Sequence, residues 1–296
     1  MNDHIVRALS SVGGIRILAC DVQNLSRQIC LLQQATPTVQ VALGRGLAGG
    51  ALMGALLKGD QRIALKFEGN GPMQKMIIEA EADGTVRGCV GNPSADVKPL
   101  NGRWNVPGVL GLAGFLTVTK DIGMGGEPYH GMVQLLSSEI GDDLAYYLTD
   151  SEQTPSAVGL GTTLGTDGLI ATSGGFLVQA LPKADEREIE TIMANIAALP
   201  PMSEILAGGG PKALIEQLFG EISYTLLESH ELFFRCGCSR DKVERALLSF
   251  DSAELKDMIE KDGGAAVTCE FCRQSYSFDK TDLERLSAAP PVTATT

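Results

Sequence analysis

Two cysteine pairs constrain this chain more than any other feature. Cys236-Gly237-Cys238 is followed, after thirty intervening residues, by Cys269-Glu270-Phe271-Cys272. Soft thiolates at close spacing suit Zn²⁺, which takes four such ligands in a tetrahedron. Each pair supplies two ligands, so the segment between them must fold back to close the site. Ser239 suits a helix N-cap ahead of Val243, Ala246, Leu247 and Phe250 on one face. Asp251 and Glu254 have the spacing of a capping box for a second helix carrying Leu255, Met258 and Ile259. Gly263-Gly264 stops that helix, Val267-Thr268 leads into the second pair, and Tyr276 and Phe278 alternate in a strand after it. A unit of about fifty residues with few large apolar groups needs a metal or disulfides to hold together. Zinc binding in such units contributes roughly 10–16 kcal/mol, much of it as folding energy.

Four readings of the cysteines compete. A purely structural site is the plainest. A thioredoxin-like catalyst needs its CxxC at a strand-to-helix turn, whereas here a strand follows. A catalytic zinc needs an open coordination position, which four cysteines do not leave. A redox switch is the fourth. Sulfurs around a tetrahedral zinc lie about 3.8 Å apart, and a disulfide bond is about 2.05 Å long, so oxidising either pair expels the metal. Disulfides made within the pairs would no longer join one pair to the other. Chemistry alone ranks the structural site above the switch.

The remaining sequence sets the surroundings. The net charge of −12 repels duplex nucleic acid and anionic lipid, and no run of Lys or Arg offsets it. Seven cysteines, an odd number, with no apolar signal segment at Met1–Arg7, predict reduced thiols in a cytoplasmic protein. Cys20, Cys30 and Cys89 sit on apolar stretches and read as buried thiols. Val41–Leu57 is apolar and glycine-rich but carries Arg45, and reads as a buried helix rather than a membrane span. Gly159-Leu160-Gly161 matches no phosphate loop and reads as a turn; Trp104 reads as core or domain contact. His4, His130 and His230 have no ligand spacing, and Ser151-Glu152-Gln153 has no histidine nearby for a triad.

The fold class expected is α+β. Residues 1–183 read as a mixed sheet-and-helix domain, with strands at Ile15–Ala19, Ile63–Phe67, Met76–Ala80, Val86–Val90, Thr117–Lys120, Met132–Leu136 and Gly174–Leu181 in a meander-like sheet. Helices are expected at Leu25–Leu32, at Pro37–Leu57 and after Asp142-Asp143. Residues 184–235 read as a helical linker. Ile189, Ile192, Met193 and Ile196 share one helix face, and Leu214, Ile215, Leu218 and Phe219 share another. Pro200-Pro201 and Gly208-Gly209-Gly210-Pro211 interrupt these helices, a very short one capped by Ser203 lying between the breaks. Helices this short depend on docking. Residues 236–286 form the cysteine unit, and 287–296 is a Pro/Ala/Thr-rich tail expected to be disordered.

Phe234-Arg235-Cys236-Gly237-Cys238-Ser239-Arg240 with Thr268-Cys269-Glu270-Phe271-Cys272 resembles the signature of the 33-kDa heat-shock family of redox-regulated chaperones. Tyr146-Tyr147 with Ser151–Ser156, Gly174–Gln179, Asp83–Gly88 and Leu116–Asp121 extend the likeness over nearly the whole chain. The resemblance implies a protein that binds one Zn²⁺ through Cys236, Cys238, Cys269 and Cys272 and is inactive when reduced. It implies that oxidants form disulfides Cys236–Cys238 and Cys269–Cys272, release the zinc, unfold the zinc domain and destabilise the linker. The active form would then be a homodimeric, ATP-independent holdase, dimerising through its N-terminal domain. It would hold unfolding client proteins and pass them to ATP-dependent foldases, with no catalytic residue, nucleic acid or membrane involved. The linker residues Ile189, Ile192, Met193, Ile196, Leu214, Ile215, Leu218 and Phe219 are the candidate client-binding surface, hidden at rest. The alternative is a constitutive zinc-stapled module for binding protein or nucleic acid.

Overall fold

Ile15–Asp21 is apolar at nearly every position, so a strand made of it must be covered on both faces. In the computed structural model, which describes residues 2–123, 126–250 and 252–287, it is. Ile15, Ile17 and Ala19 point into one apolar cluster, Leu18 and Cys20 into another. The chain divides into two compact units, Met1–Arg235 and a second that begins at Cys236.

The first unit runs β1 (His4–Ser10), β2 (Ile15–Asp21), α1 (Gln23–Gln33), α2 (Pro37–Gly54), β3 (Arg62–Gly69), β4 (Lys75–Glu81), β5 (Val86–Val90), α3 (Val106–Leu110), β6 (Gly114–Asp121), β7 (Tyr129–Gln134), α4 (Gly141–Asp150), β8 (Ser156–Leu164), β9 (Ile170–Ala180), α5 (Glu186–Ala198), α6 (Met202–Phe219) and β10 (Tyr224–Glu231). Its strands form two antiparallel five-stranded sheets, ordered β10-β1-β2-β9-β8 and β5-β4-β3-β6-β7, where the sequence suggests one meander. Helix α2 lies between them, buried at every position but Pro37 and Arg45. Its glycines permit that position. A Cβ at Gly44 would come within 2.8 Å of Thr162 in one sheet, and a Cβ at Gly46 within 2.7 Å of Met76 in the other.

Three strands escape the sequence reading. Strand β1 lies at the start of the chain, and β10 is an edge strand with mostly exposed side chains, held by pairing to β1. Strand β8 corrects the reading of Gly159-Leu160-Gly161 as a turn. Both glycines are strand residues, because the Phe176 ring lies over Gly159 and Met202 over Gly161, where a Cβ would clash.

Helices α5 and α6 cover the outer face of the first sheet. Leu214, Ile215, Leu218 and Phe219 are fully buried there with Val6, Ala8, Ile15, Ile17 and Phe176. Asp185 caps α5 by accepting from the Arg187 amide. Helix α6 is two helices joined at a kink: Gly210 stands at φ +65°, a left-handed geometry that glycine takes without strain, and Pro211 restarts the helix. The short first piece begins at Met202 after Pro201, with no side-chain cap, rather than under a Ser203 cap.

The second unit runs α7 (Arg240–Leu247), α8 (Ser252–Asp257), a π-helical turn Met258–Asp262, β11 (Gly264–Thr268), β12 (Ser275–Asp279) and α9 (Lys280–Ser287). Strands β11 and β12 form an antiparallel hairpin with Val267 opposite Tyr276. Its apolar cluster holds five buried side chains, Leu247, Leu255, Phe278, Leu283 and Leu286. Phe250 lies past the end of α7 and is 42 % exposed, outside the shared face the spacing suggests. The capping box expected at Asp251, and the tail from Ala288 onward, lie outside the described residues.

Candidate metal centre

Local structure brings the two cysteine pairs together. Cys236 and Cys238 directly precede α7, whose first turn is capped as expected: the Ser239 hydroxyl accepts from the Lys242 amide at 3.3 Å. Cys269 and Cys272 occupy the turn of the β11–β12 hairpin. The Cys269 amide donates to the Gln274 carbonyl at 2.9 Å, the Arg273 amide to the Cys269 carbonyl at 3.0 Å, and Arg273 takes a left-handed φ of 60°.

The four sulfurs lie within 4.8 Å of one another, the one such cluster of metal-binding side chains among the described residues. Cys236 Sγ is 3.7 Å from Cys269 Sγ, and Cys238 Sγ is 3.3 Å from Cys272 Sγ. Sulfurs about a tetrahedral zinc stand about 3.8 Å apart, so donor type, number and spacing fit that ion. Both short contacts run between the pairs, so a metal here joins the start of α7 to the hairpin.

Side chains around the sulfurs reinforce the join. The Tyr276 hydroxyl donates to Cys238 Sγ at 3.1 Å. The Arg240 guanidinium donates to the Ser277 carbonyl at 2.8 Å, pairs with Asp282 at 2.6 Å and lies 4.3 Å from the Phe278 ring centre. Arg285 pairs with Glu244 at 3.0 Å, linking α9 to α7. Sequence reading places Tyr276 only as an alternating residue of a strand and misses its hydroxyl. A tyrosine four residues beyond the second pair is the only signal available. The ion pairs carry no local signal, since their partners lie some forty residues apart.

Without a metal the thiols do not titrate alike. The hydrogen bond from Tyr276 holds the Cys238 thiol down at about 7. Removal from water pushes Cys272 up to about 12, and Cys236 upward as well. The bond to Cys238 in turn raises the Tyr276 hydroxyl to about 12. Cys20, Cys30 and Cys89 are buried as expected, none more than 3 % exposed, and burial pushes Cys30 up to about 12 and Cys20 higher still. Thiolates are the reactive form, so reactive sulfur is confined to the second unit.

The linker residues divide. Leu214, Ile215, Leu218, Phe219 and Ile192 are buried and Ile196 is half-buried, whereas Ile189 and Met193 are 37 % and 54 % exposed. Ahead of Cys236, the chain is fastened within the first unit. The Phe233 amide donates to the Gly84 carbonyl, the Val86 amide to the Phe233 carbonyl, and Arg235 pairs with Asp83 at 2.5 Å.

No helix among the described residues is long and apolar enough to cross a membrane. The model of the Hsp33 protein family matches residues 3–279. The 33 kDa chaperonin of Pelobacter propionicus is 65 % identical over 293 residues, 99 % of this chain and 96 % of that protein. The 33 kDa chaperonin of Geobacter sulfurreducens is 51 % identical, over 97 % of this chain and 95 % of its own length. The crystal structure of the 33 kDa chaperonin (heat shock protein 33 homolog) of Thermotoga maritima superposes with a TM-score of 0.90 at 33 % identity, covering 97 % of this chain and 98 % of its own. Matched from near its first residue to beyond its last cysteine, the chain belongs to the Hsp33 family of chaperones.

Proposed function

We propose that this chain is an oxidation-activated, ATP-independent holdase that binds one zinc ion through Cys236, Cys238, Cys269 and Cys272 while reduced. The observation that carries the reading is the sulfur cluster. Four half-exposed thiols span the two halves of a unit with only five buried apolar side chains in its cluster. Zinc, when bound, supplies the cross-link that this small core lacks. Disulfides Cys236–Cys238 and Cys269–Cys272 consume all four thiolates, leaving none to hold a metal and no sulfur link between the halves.

Unfolding of the second unit then frees the chain that enters it at Arg235, and with it the linker. Helix α6 suits release, because three glycines and a kink interrupt it, each glycine costing about 1 kcal/mol against alanine. Its departure uncovers two apolar surfaces together: its own stripe of Leu214, Ile215, Leu218 and Phe219, and the sheet face of Val6, Ile15, Ile17 and Phe176. Ile189 and Met193 are already accessible in the docked linker. Unfolding proteins are the clients; the active form dimerises and passes them to ATP-dependent foldases. The protein works in reducing cytoplasm, without catalytic residues of its own.

The test is aggregation of an unfolding client with zinc-loaded reduced protein and with oxidised protein, zinc release being followed alongside. Suppression after zinc release supports the proposal. Equal suppression by both forms, or by neither, overturns it and favours a constitutive zinc-stapled module.

A further inference from the structure

A close sulfur contact in the centre runs between the pairs. Cys238 Sγ is 3.3 Å from Cys272 Sγ. A disulfide there would keep the start of α7 stapled to the hairpin, the reverse of what release requires. Proximity puts a product that locks the unit shut within reach, so something must direct the pairing.

We infer that the Tyr276 hydroxyl directs it. This rests on the reading that the four thiols are oxidised in use. Tyr276 lies on β12 and donates to Cys238 Sγ at 3.1 Å, whereas among the described residues Cys272 has a backbone hydrogen bond from Gln274 and no hydroxyl donor. A hydrogen bond to sulfur ties up a lone pair and draws electron density from it, so Cys238 attacks electrophiles more slowly. In the zinc-loaded protein Cys272 would be a ligand and so already deprotonated; with a peroxide as oxidant its sulfur attacks one oxygen, the O–O bond breaks and hydroxide leaves, giving a sulfenic acid. Either Cys269 or Cys238 then attacks that sulfur as thiolate. The S–S bond forms, the S–O bond breaks, and a second hydroxide leaves and takes up a proton. Two sulfurs give up two electrons and the peroxide accepts them. The hydrogen bond handicaps Cys238 in this second step, so Cys269 resolves the intermediate and the disulfide forms within its pair. Tyr276 is thus a positioning residue that sets the disulfide pattern and touches no client.

The test is Y276F, which keeps the ring that packs in the small apolar cluster and removes only the O–H. Full-length, zinc-loaded wild type and Y276F are treated with hydrogen peroxide, and their disulfides are mapped by mass spectrometry without reduction. The ratio of Cys238–Cys272 to Cys269–Cys272 disulfide is expected to rise roughly threefold to tenfold in Y276F, the size of effect one hydrogen bond commands. Zinc content and melting temperature of the reduced proteins are expected to match. An unchanged ratio overturns the inference while leaving the switch intact. So does loss of zinc from reduced Y276F, because the hydroxyl would then be holding the metal. If the wild type forms no disulfide in the cluster, the switch itself fails, and this inference with it.

Discussion

The two units solve the same problem, holding a chain together, with different means. The first surrounds α2 with two sheets and buries its three cysteines as ordinary apolar side chains. The second has five buried side chains in its cluster and keeps its four cysteines half-exposed. Burial decides what a thiol does. It makes Cys20 and Cys30 inert, while partial exposure leaves the four cysteines of the second unit open to solvent.

The largest expected effect comes from removing the metal. Chelation of the reduced protein, or Cys272→Ser, forfeits much of a contribution of roughly 10–16 kcal/mol. Hydrogen exchange should then show the second unit open while α2 and its flanking strands stay protected. Equal loss of protection in both units would break the comparison.

Leu218→Ala should follow. The side chain is fully buried between α6 and the first sheet, so truncation should cost about 2–5 kcal/mol of linker docking. Client aggregation assays on the reduced, zinc-loaded variant should show activity that the wild type lacks.

Thiol reactivity sharpens the contrast. With the metal removed, Cys238 should become open to alkylation as the second unit opens. Cys20 and Cys30, pushed up by burial, should stay unmodified at every pH where the fold holds. Peptide mapping after timed alkylation checks all three.

The smallest effect concerns the linker hinge. A Cβ at Gly208 meets nothing within 4 Å and its backbone is not left-handed. Gly208→Ala should stabilise the docked helix by up to about 1 kcal/mol and slow activation by oxidant. The time course of client protection after a fixed dose of peroxide measures this.

The sequence makes the centre more legible than the frame. Four ligands in two tight pairs need only local turns to position them, so Cys236, Cys238, Cys269 and Cys272 can be read directly. Periodicity likewise locates β3 and β4, whose side chains are sorted by burial, and near-continuous apolar character locates β2 and α2. It fails where long-range contacts set the structure. Strand β8 has glycines because Phe176 and Met202 lie over them, and β10 is a strand because β1 pairs with it. No window along the chain contains those partners. The Tyr276 hydroxyl escapes for the same reason, its acceptor lying 38 residues away.

The central claim is that loss of thiolates in the second unit releases the linker of the first. It is tested most directly by pulsed hydrogen exchange across Leu214–Phe219 during peroxide treatment, with zinc release recorded on the same samples. The account predicts that this segment loses protection in step with zinc release and ahead of client binding, while α2 stays protected. Protection of Leu214–Phe219 that persists in protein already free of zinc and holding client would contradict it.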